Sequence, residues 1–508
     1  MLLADLIKSV TPLSVGGSTE LEIQGLFYDS RKAEPGGLFF ALRGAAFDGH
    51  RFIETAVKAG ATAVVVEDES LVPSGVTYVK VADARLAMSR MAAAFYRNPT
   101  AAVPLIGITG TNGKTTTTYL IEAILEKAGI AVAVLGTVSY RFRERAIPAP
   151  HTTPESVDLQ MILRDLVGLG AGGVVMEVSS HALEQHRVDG CQFDIGVFTN
   201  LTRDHLDYHH DMESYLASKM RLFSELLTAD EAKPVRRAVV NIDDPYGHLI
   251  ARGAACPVIT YGLVADSLVT ARDVEFSVAG ISGVLVTPKG EIPFRSRMLG
   301  RFNLYNILSA AAVGAALDLP LSAIQAGIEE HKNVPGRLER VAGDRGVTLL
   351  VDYAHTGDAL ENVLRTLKDL AVGRIITVFG CGGDRDRGKR PVMGEVAVTY
   401  SDLAVITSDN PRSEEPRAIM EDIRAGILPL GMREYREAEL ADDFLGKGFV
   451  AIEARREAIR LAVRLAMPGD IVLLAGKGHE DYQIIGNVKH HFDDREEAAA
   501  AFRELQAG

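Results

Sequence analysis

A glycine-rich segment followed at once by lysine and threonine is the part of this sequence that most directly indicates chemistry. Residues 105–117 read LIGITGTNGKTTT, an apolar run, a turn and the start of a helix. Glycines allow the backbone to curve around a phosphate, the helix N-terminus adds partial positive charge, the lysine supplies a mobile cation and the first threonine a hydroxyl for Mg²⁺. The segment predicts a nucleoside triphosphate site formed by Gly110, Thr111, Asn112, Gly113, Lys114, Thr115 and Thr116.

The surrounding sequence favours this interpretation over a chance glycine turn. A strict phosphate-loop pattern would have glycine at position 108, where this chain has Ile108. Strand, turn and helix nevertheless follow in the required order. The helix is indicated by an apolar stripe that stops at Gly129, and residues 130–135 predict the next parallel strand. The stripe consists of Leu120, Ile121, Ile124, Leu125 and Ala128.

Two later segments carry further polar side chains. Residues 172–181 read GGVVMEVSSH and predict a strand ending at Glu177, whose carboxylate would stand beside the loop to hold Mg²⁺; a buried, paired glutamate is the alternative. Residues 197–210 contain three histidines but no cysteine, which argues against zinc. By residue type alone, Lys219 predicts an exposed helix lysine.

Composition limits the class of protein. The chain has 508 residues, 47% hydrophobic and 24% charged, with a net charge of −13, which argues against a nucleic-acid-binding surface. Cys191, Cys256 and Cys381 are far apart and odd in number, so we expect no disulfide framework and a reducing compartment. No signal peptide or membrane span is indicated, and we expect a cytoplasmic protein.

The pattern of elements predicts an α/β fold with three domains. We expect a small α/β N-terminal domain at 1–100, a central phosphate-loop ATPase-like domain with a mostly parallel sheet at 101–335, and a Rossmann-like α/β domain at 336–508. Residues 29–31, Asp-Ser-Arg, either cap a turn or hold a polar ligand. The proline and glycine within 333–337 predict a turn at the second boundary and a hinge for domain closure.

Four predicted strands of the last domain end in loops rich in Gly, Asp, Arg or His. These segments are 347–355, 374–380, 403–412 and 470–480. Ligands of open α/β sheets bind at the carboxyl ends of the strands, so we expect a binding site at this edge.

Seven motifs together make the chain resemble the Mur ligase family, the ATP-dependent amino-acid-adding enzymes of peptidoglycan synthesis. They are GTNGKT at 110–115, EVSSHAL at 177–183, NLTRDHLD at 200–207, GRFNLYN at 300–306, PGR at 335–337, DYAH at 352–355 and GKGHE at 476–480. The resemblance covers essentially the whole chain. It implies a ligase of cell-wall biogenesis, with consequences for cell shape and division, that acts as a monomer on small molecules.

The resemblance implies three groups of ligand contacts. ATP would also contact Asn303, Asn306, Arg337 and Asp352. The UDP-N-acetylmuramoyl dipeptide would contact Ser30, Ala45, Ala46, Phe47, Thr152, Thr153, Ser179, Gln185 and Arg187, and the family's common Asn before Thr152 is His151 here. The incoming amino acid would contact Arg385, Asp409, Asn410, Pro411, Arg412, Gly476 and Glu480.

The resemblance also implies a metal site and a modified lysine. Lys219 matches the family's lysine that CO₂ converts to a carbamate (N6-carboxylysine), replacing an ammonium with an anion that suits Mg²⁺. Two Mg²⁺ ions would then be held by Thr115, Glu177, His205 and the carbamate. Lys114, Glu177, His205 and Lys219 would be the catalytic residues.

The Asp409-Asn-Pro-Arg412 motif indicates the amino acid that is added. Within the family this motif accompanies meso-2,6-diaminopimelate, whereas lysine-adding relatives differ at the arginine position. Diaminopimelate has a distal carboxylate that lysine lacks, and a guanidinium binds a carboxylate bidentately. An L-lysine-adding ligase, and a phosphate-loop ATPase switch without ligation chemistry, remain as alternatives.

Overall fold

The computed structural model describes residues 1–44, 48–229, 233–331, 334–341, 346–440, 444 and 446–507. The chain divides into two compact units. The first contains 1–272, 284–293 and 305–328, and the second contains 273–283, 294–304 and 329–508. No helix in the described ranges has the length and apolar character needed to cross a membrane.

The first unit begins with a five-stranded sheet in the order β1-β5-β4-β3-β2. Its strands are parallel except β1. The strands are β1 (Ser14–Gly16), β2 (Gly25–Phe27), β3 (Gly37–Phe40), β4 (Ala61–Val66) and β5 (Thr77–Lys80), and the helices are α1 (Leu3–Ile7), α2 (Ile53–Lys58) and α3 (Ala84–Phe95). All four residues of β3 are buried, because apolar side chains pack on both sheet faces.

The second sheet of this unit has eight strands in the order β13-β12-β11-β6-β10-β7-β8-β9. The strands are β6 (Leu105–Thr109), β7 (Val132–Leu135), β8 (Ser139–Phe142), β9 (Arg145–Pro148), β10 (Gly173–Glu177), β11 (Ile195–Phe198), β12 (Arg237–Asn241) and β13 (Val258–Tyr261). The helices are α4 (Lys114–Lys127), α5 (Ser156–Gly168), α6 (Ser180–Glu184), α7 (Leu206–His209), α8 (Met212–Arg221) and α9 (Gly247–Gly253). Only β8 runs opposite to the other strands, so its pairs with β7 and β9 are antiparallel and the predicted mostly parallel sheet is confirmed.

A small sheet and two helices follow. The sheet has three strands in the order β14-β15-β16, namely β14 (Thr270–Ser277), β15 (Gly280–Thr287) and β16 (Gly290–Ser296). The helices are α10 (Arg301–Ala316) and α11 (Leu321–Glu330).

The second unit is built on a seven-stranded sheet in the order β17-β18-β23-β19-β20-β22-β21, parallel except β17. The strands are β17 (Glu339–Val341), β18 (Thr348–Asp352), β19 (Ile375–Phe379), β20 (Leu403–Ile406), β21 (Arg433–Glu434), β22 (Gly448–Ala451), β23 (Ile471–Ala475), and the hairpin β24 (Tyr482–Ile485) and β25 (Val488–His491). The helices are α12 (Gly357–Leu370), α13 (Lys389–Tyr400), α14 (Pro416–Ile427), α15 (Arg455–Leu465) and α16 (Asp494–Ala507). Apolar clusters cover both faces.

This architecture confirms the predicted α/β class with three sheet-based domains. In both parallel sheets the polar motifs follow the carboxyl ends of strands: 110–115 follows β6, Glu177 ends β10, 409–412 follows β20 and 476–480 follows β23. The domain boundaries after residues 100 and 335 stay a prediction.

Candidate active site

The loop between β6 and α4 is held tightly by neighbouring backbone and side chains. Gly110 and Gly113 have φ angles of +148° and +85°, which L side chains rarely adopt. A Cβ at Gly110 would lie 1.9 Å from Thr199 Oγ1, and one at Gly113 would lie 2.4 Å from Asn306 Oδ1. Glycine is therefore needed at both positions, as the phosphate-loop interpretation requires.

Lys114 begins α4, and its ammonium group folds back over the loop. Its Nζ donates to the carbonyl oxygens of Gly110 and Thr111, both at 2.8 Å. Thr115 and Thr116 are buried in the first turn. The cation and the helix N-terminus therefore lie at the same loop, the arrangement that binds phosphate groups.

Lys219, on α8, is buried at the same loop. Its exposed fraction is 1%, and its Nζ donates to Gly110 O at 3.1 Å and lies 4.4 Å from the centre of the Tyr215 ring. Burial holds the pKa of Lys219 well below its usual value, and the nearby charge of Lys114 lowers it further. The exposed helix lysine suggested by residue type alone is therefore wrong.

His181, His205 and His209 pack together near Tyr215. The ring of His205 lies 5.0 Å from that of His181 and 6.2 Å from that of Tyr215. His209 is buried, with Nε2 2.8 Å from Ser180 Oγ. Among the described residues, no group of three or more His, Cys, Asp or Glu side chains is arranged to hold a metal ion.

Glu177 is almost fully buried at the end of β10, the strand paired with β6. Its exposed fraction is 1%, and it lies opposite Ile108 in the β6 register. Its carboxylate accepts hydrogen bonds from Thr137 N and Thr137 Oγ1, both at 2.9 Å. Glu177 thus stands one strand away from the phosphate loop. No sequence motif indicated Thr137, because it lies in a short connection after β7.

Five residues implied to contact the UDP-muramoyl dipeptide form one network. Thr152 Oγ1 lies 3.1 Å from Thr137 Oγ1, and Thr153 Oγ1 donates to Glu177 O at 2.9 Å. Ser179 caps α6 by accepting from Ala182 N at 3.2 Å, and its own N–H donates to Thr153 Oγ1 at 3.1 Å.

Arg187 and Gln185 extend this network. The Arg187 guanidinium donates to Thr153 O at 2.9 Å and to Gln185 Oε1 at 2.7 Å, and it pairs with Glu155 at 3.0 Å. Gln185 Nε2 donates to Tyr208 OH at 3.0 Å. The structure therefore brings together Thr152, Thr153, Ser179, Gln185 and Arg187.

The remaining residues implied for this substrate lie elsewhere. Ser30 begins a short 3₁₀ helix, capped by Asp29, which accepts from Arg31 N at 3.0 Å and pairs with the Arg31 guanidinium. The turn-capping role of Asp29 is thus confirmed. The carbonyl of His151 accepts a hydrogen bond from Tyr140 OH. Ala45, Ala46 and Phe47 lie outside the described residues.

The four additional residues implied for ATP are divided between the units. In the first unit, Asn306 Oδ1 accepts from Thr117 Oγ1 of α4 at 3.3 Å. In the second unit, Asn303 Nδ2 donates to Leu299 O at 2.9 Å. Asp352 accepts from the N–H groups of residues 338 and 354 at 2.6 and 2.8 Å, and burial raises its pKa. The Arg337 guanidinium lies 4.9 Å from the centre of a neighbouring aromatic ring, at residue 353.

The loop of Asp409, Asn410, Pro411 and Arg412 is pinned by its neighbours. Arg412 has a φ of +51° and donates through Nη1 to Gly383 O at 2.7 Å. Its backbone is bound to the β24–β25 hairpin, since Arg412 N donates to Ile484 O and Gly486 N donates to Arg412 O, at 3.1 and 2.7 Å. Arg412 is thus held in a left-handed conformation that fixes the direction of its side chain.

Residues from two other loops border this one. Asn410 Nδ2 donates to Glu480 Oε2 at 2.9 Å. A Cβ at Gly476 would lie 3.9 Å from Asp409 Oδ2. Arg385 is exposed and lies beside Gly382, whose added Cβ would be 2.9 Å from Arg412 Nη1. The structure therefore gathers the residues implied for the incoming amino acid at one sheet edge.

The α/β domains and the glycine loop before α4 define the class of this protein: it is an α/β enzyme with a phosphate loop. Three family models match the chain: "Mur ligase family, catalytic domain" over 22–96, "Mur ligase middle domain" over 108–314 and "Mur ligase, glutamate ligase domain" over 336–478. The chain belongs to the Mur ligase family.

Similar proteins carry one specific name. A protein of Geobacter metallireducens is 68% identical over 100% of this chain and 99% of its own length, and one of Geobacter sulfurreducens is 63% identical over 100% of both. Both are named UDP-N-acetylmuramoyl-L-alanyl-D-glutamate--2,6-diaminopimelate ligase. A solved structure of an enzyme with this name is 35% identical, with a TM-score of 0.71 and 100% coverage of both chains. The MurF ligase of Thermotoga maritima, solved in complex with ADP, shares the fold at 18% identity, with a TM-score of 0.62 and coverage of 96% of this chain and 100% of its own.

Proposed function

We propose that this protein uses ATP to join meso-2,6-diaminopimelate to the D-glutamyl γ-carboxylate of UDP-N-acetylmuramoyl-L-alanyl-D-glutamate in peptidoglycan synthesis. The observation that carries this proposal is the fixed Asp409–Arg412 loop, bordered by Glu480 and Gly476 at the carboxyl end of a parallel sheet. The names of relatives up to 68% identical over the whole chain support the same activity.

The chemistry follows from the low reactivity of a carboxylate. Transfer of the γ-phosphoryl group of ATP to the D-glutamyl carboxylate gives an acyl phosphate and ADP, with Lys114 and the loop N–H groups stabilising the transferred group. The uncharged amine of diaminopimelate then attacks the acyl carbon. The tetrahedral intermediate expels inorganic phosphate and forms the amide. No side-chain nucleophile is required.

The residues near the loop suit Mg²⁺ binding. Glu177 offers a carboxylate, Thr115 a hydroxyl, and Lys219 and His205 both lie against the ring of Tyr215. The lowered pKa of Lys219 favours its neutral amine, the form that reacts with CO₂, and the carbamate would add two oxygens that share one negative charge. Bound Mg²⁺ supplies charge neutralisation for phosphoryl transfer.

A single chain supplies residues for all three proposed ligands, so the reaction requires no second copy, and we propose a monomer. The three cysteines are free thiols, which fits a reducing compartment. ATP and nucleotide-sugar precursors are cytoplasmic metabolites, and we therefore propose a cytoplasmic location.

Replacing Arg412 with alanine tests the proposed recognition of the distal carboxylate. A guanidinium has five N–H donors and Gly383 O takes one, so others can bind a carboxylate bidentately. We expect kcat/KM for diaminopimelate to fall by at least about 10²-fold while ATP affinity changes little.

Arg417→Ala is the matched control, since this arginine lies five positions away on α14. Its side chain is 81% exposed, and its ion pair with Glu453 lies at the surface. We expect its kcat/KM to stay within about threefold of the wild-type value. Equal losses in both variants, or an unchanged Arg412→Ala enzyme, would refute the assignment of Arg412.

A further inference from the structure

A fully buried lysine lies among the residues proposed to bind diaminopimelate. Lys477 has an exposed fraction of 0%, and its Nζ is 3.2 Å from Asp409 Oδ1 and 3.8 Å from Glu480 Oε2. The same Nζ donates to Tyr482 O at 2.5 Å and to Asn410 Oδ1 at 3.3 Å. One ammonium group therefore contacts two carboxylates and an amide from the loops after β20 and β23, and a carbonyl at the start of β24.

Lys477 also fixes the orientation of the Asn410 amide. Asn410 Oδ1 accepts from Lys477 Nζ and from Ile484 N, the latter at 2.9 Å. With two donors at the oxygen, the amide nitrogen must face the other way, where it donates to Glu480 Oε2 at 2.9 Å. The position of the Glu480 carboxylate thus depends on Lys477 twice, directly and through Asn410.

The two carboxylates occupy a poorly solvated environment. Asp409 is 7% exposed and the Glu480 side chain 17% exposed. Burial raises the pKa of Glu480, the Asp409 charge raises it further, and Lys477 opposes both effects. Arg455 also acts on both carboxylates but is bound to Asp494. Tyr353, Cys381 and Tyr482 also interact with one or both carboxylates. Arg337 and Arg385 act in turn on Tyr353, and Arg412 acts on Tyr482.

We propose that Lys477 is a positioning residue of the amino-acid site, which orients Asp409, Asn410 and Glu480 to receive an ammonium group of the substrate and places a positive charge between the two carboxylates. Lys477 acts through these side chains, because its own donors are directed at protein atoms. The inference rests on the proposed function, since it assigns Asp409, Asn410 and Glu480 to diaminopimelate.

Two substitutions separate the charge of Lys477 from its hydrogen bonds. Lys477→Gln keeps a polar donor but removes the charge, whereas Lys477→Arg keeps the charge. Lys368→Met, an exposed position on α12 in the same unit, is the control. Each variant is assayed as the full chain for KM of all three substrates and for the pH profile of kcat/KM, with thermal unfolding as the folding check.

For Lys477→Gln we expect KM for diaminopimelate to rise roughly 10- to 100-fold, with KM for ATP and for the muramoyl dipeptide within about threefold of wild type. Loss of the cation raises the pKa of Glu480 further, so the acidic limb of kcat/KM should move to higher pH by about one unit. Lys477→Arg and Lys368→Met should keep the wild-type acidic limb.

Two outcomes would overturn the inference: a Lys477→Gln enzyme with the wild-type KM and acidic limb, or parallel increases in all three KM values. If Lys477→Gln does not fold, Lys477→Arg decides, because a shifted acidic limb despite the retained charge would refute the electrostatic role. A wild-type enzyme that does not turn over diaminopimelate would instead refute the proposed function.

Discussion

Two buried lysines in this chain have opposite electrostatic surroundings. Lys219 lies beside the phosphate loop near Lys114, with a backbone carbonyl as acceptor, and its pKa is strongly lowered. Lys477 lies between Asp409 and Glu480. A neutral amine can react with CO₂, whereas a charged ammonium can hold carboxylates. Burial alone therefore does not define the role of a lysine, because the charges of its neighbours decide it. These neighbours come from distant parts of the sequence, so no local pattern indicates the role.

Replacing Lys219 tests whether a carbamate forms there. Lys219→Ala removes the group that would carry the anion, and we expect kcat to fall by on the order of 10²–10³-fold. A short carboxylate such as acetate should restore part of the activity by supplying the missing oxygens. Lys58→Ala, at an exposed position of α2, is the control and should be unaffected. Activity within about threefold of wild type in Lys219→Ala would contradict the assignment.

His479 predicts a pH dependence of stability in the second unit. Burial lowers its pKa to about 4 from 6.5, with the charge of Arg337 adding to the effect. Between these values the unfolded chain binds a proton that the folded chain does not, so stability falls as pH drops through this window. Between about pH 7.5 and 5, the free energy of unfolding, measured with urea, should fall for the wild type by on the order of 2 kcal/mol more than for His479→Gln. Identical pH slopes in the two proteins would exclude this contribution.

At the scale of single elements, helix α4 shows how one segment serves both fold and site. The predicted strand, turn and apolar helix stripe are confirmed as β6, the glycine loop and α4. The pattern could be recognised because strand, glycine turn and stripe are local in sequence. Asn306, which lies against Gly113, is almost two hundred positions away, and no local pattern indicates that contact.

Two glycines at opposite ends of α4 provide a matched test of this contact. Gly113 and Gly129 have similar φ angles, +85° and +81°, but an added Cβ meets Asn306 only at Gly113 and nothing within 4 Å at Gly129. Both alanine variants should lose about 1–2 kcal/mol of stability from backbone strain. Only Gly113→Ala should also weaken ATP binding, by about tenfold, measured by calorimetry. Equal ATP affinities would show that the contact does not shape the loop.

In the second unit, too, local sequence patterns predict the strands but not the contacts between distant segments. The strands ending near residues 352, 379, 406 and 475 were predictable from their apolar runs, and their parallel pairing places the polar loops at one edge. The β24–β25 hairpin that binds the backbone of Arg412 was not predicted, because both strands have only 4 residues and β25 is exposed throughout. Lys477 was visible inside the GKGHE motif, but its role depends on loops folded from other strands.

At the scale of the whole molecule, the three predicted domains correspond to the sheets of β1–β5, β6–β13 and β17–β23. Sequence order predicted these three sheets, since the strands of each sheet follow one another along the chain. The phosphate loop and the amino-acid loop belong to different compact units. The proposed reaction therefore requires contributions from both units, and ATP turnover should depend on the presence of all substrates.

Product formation with competing amino acids tests the central claim most directly. The full chain is incubated with ATP, Mg²⁺, UDP-N-acetylmuramoyl-L-alanyl-D-glutamate and either meso-diaminopimelate or L-lysine, and released phosphate and product mass are both measured. We predict phosphate release matched by tripeptide product with diaminopimelate, and little of either with lysine or without an acceptor. Preferred incorporation of lysine, or phosphate release that leaves the muramoyl dipeptide unchanged, would contradict the account.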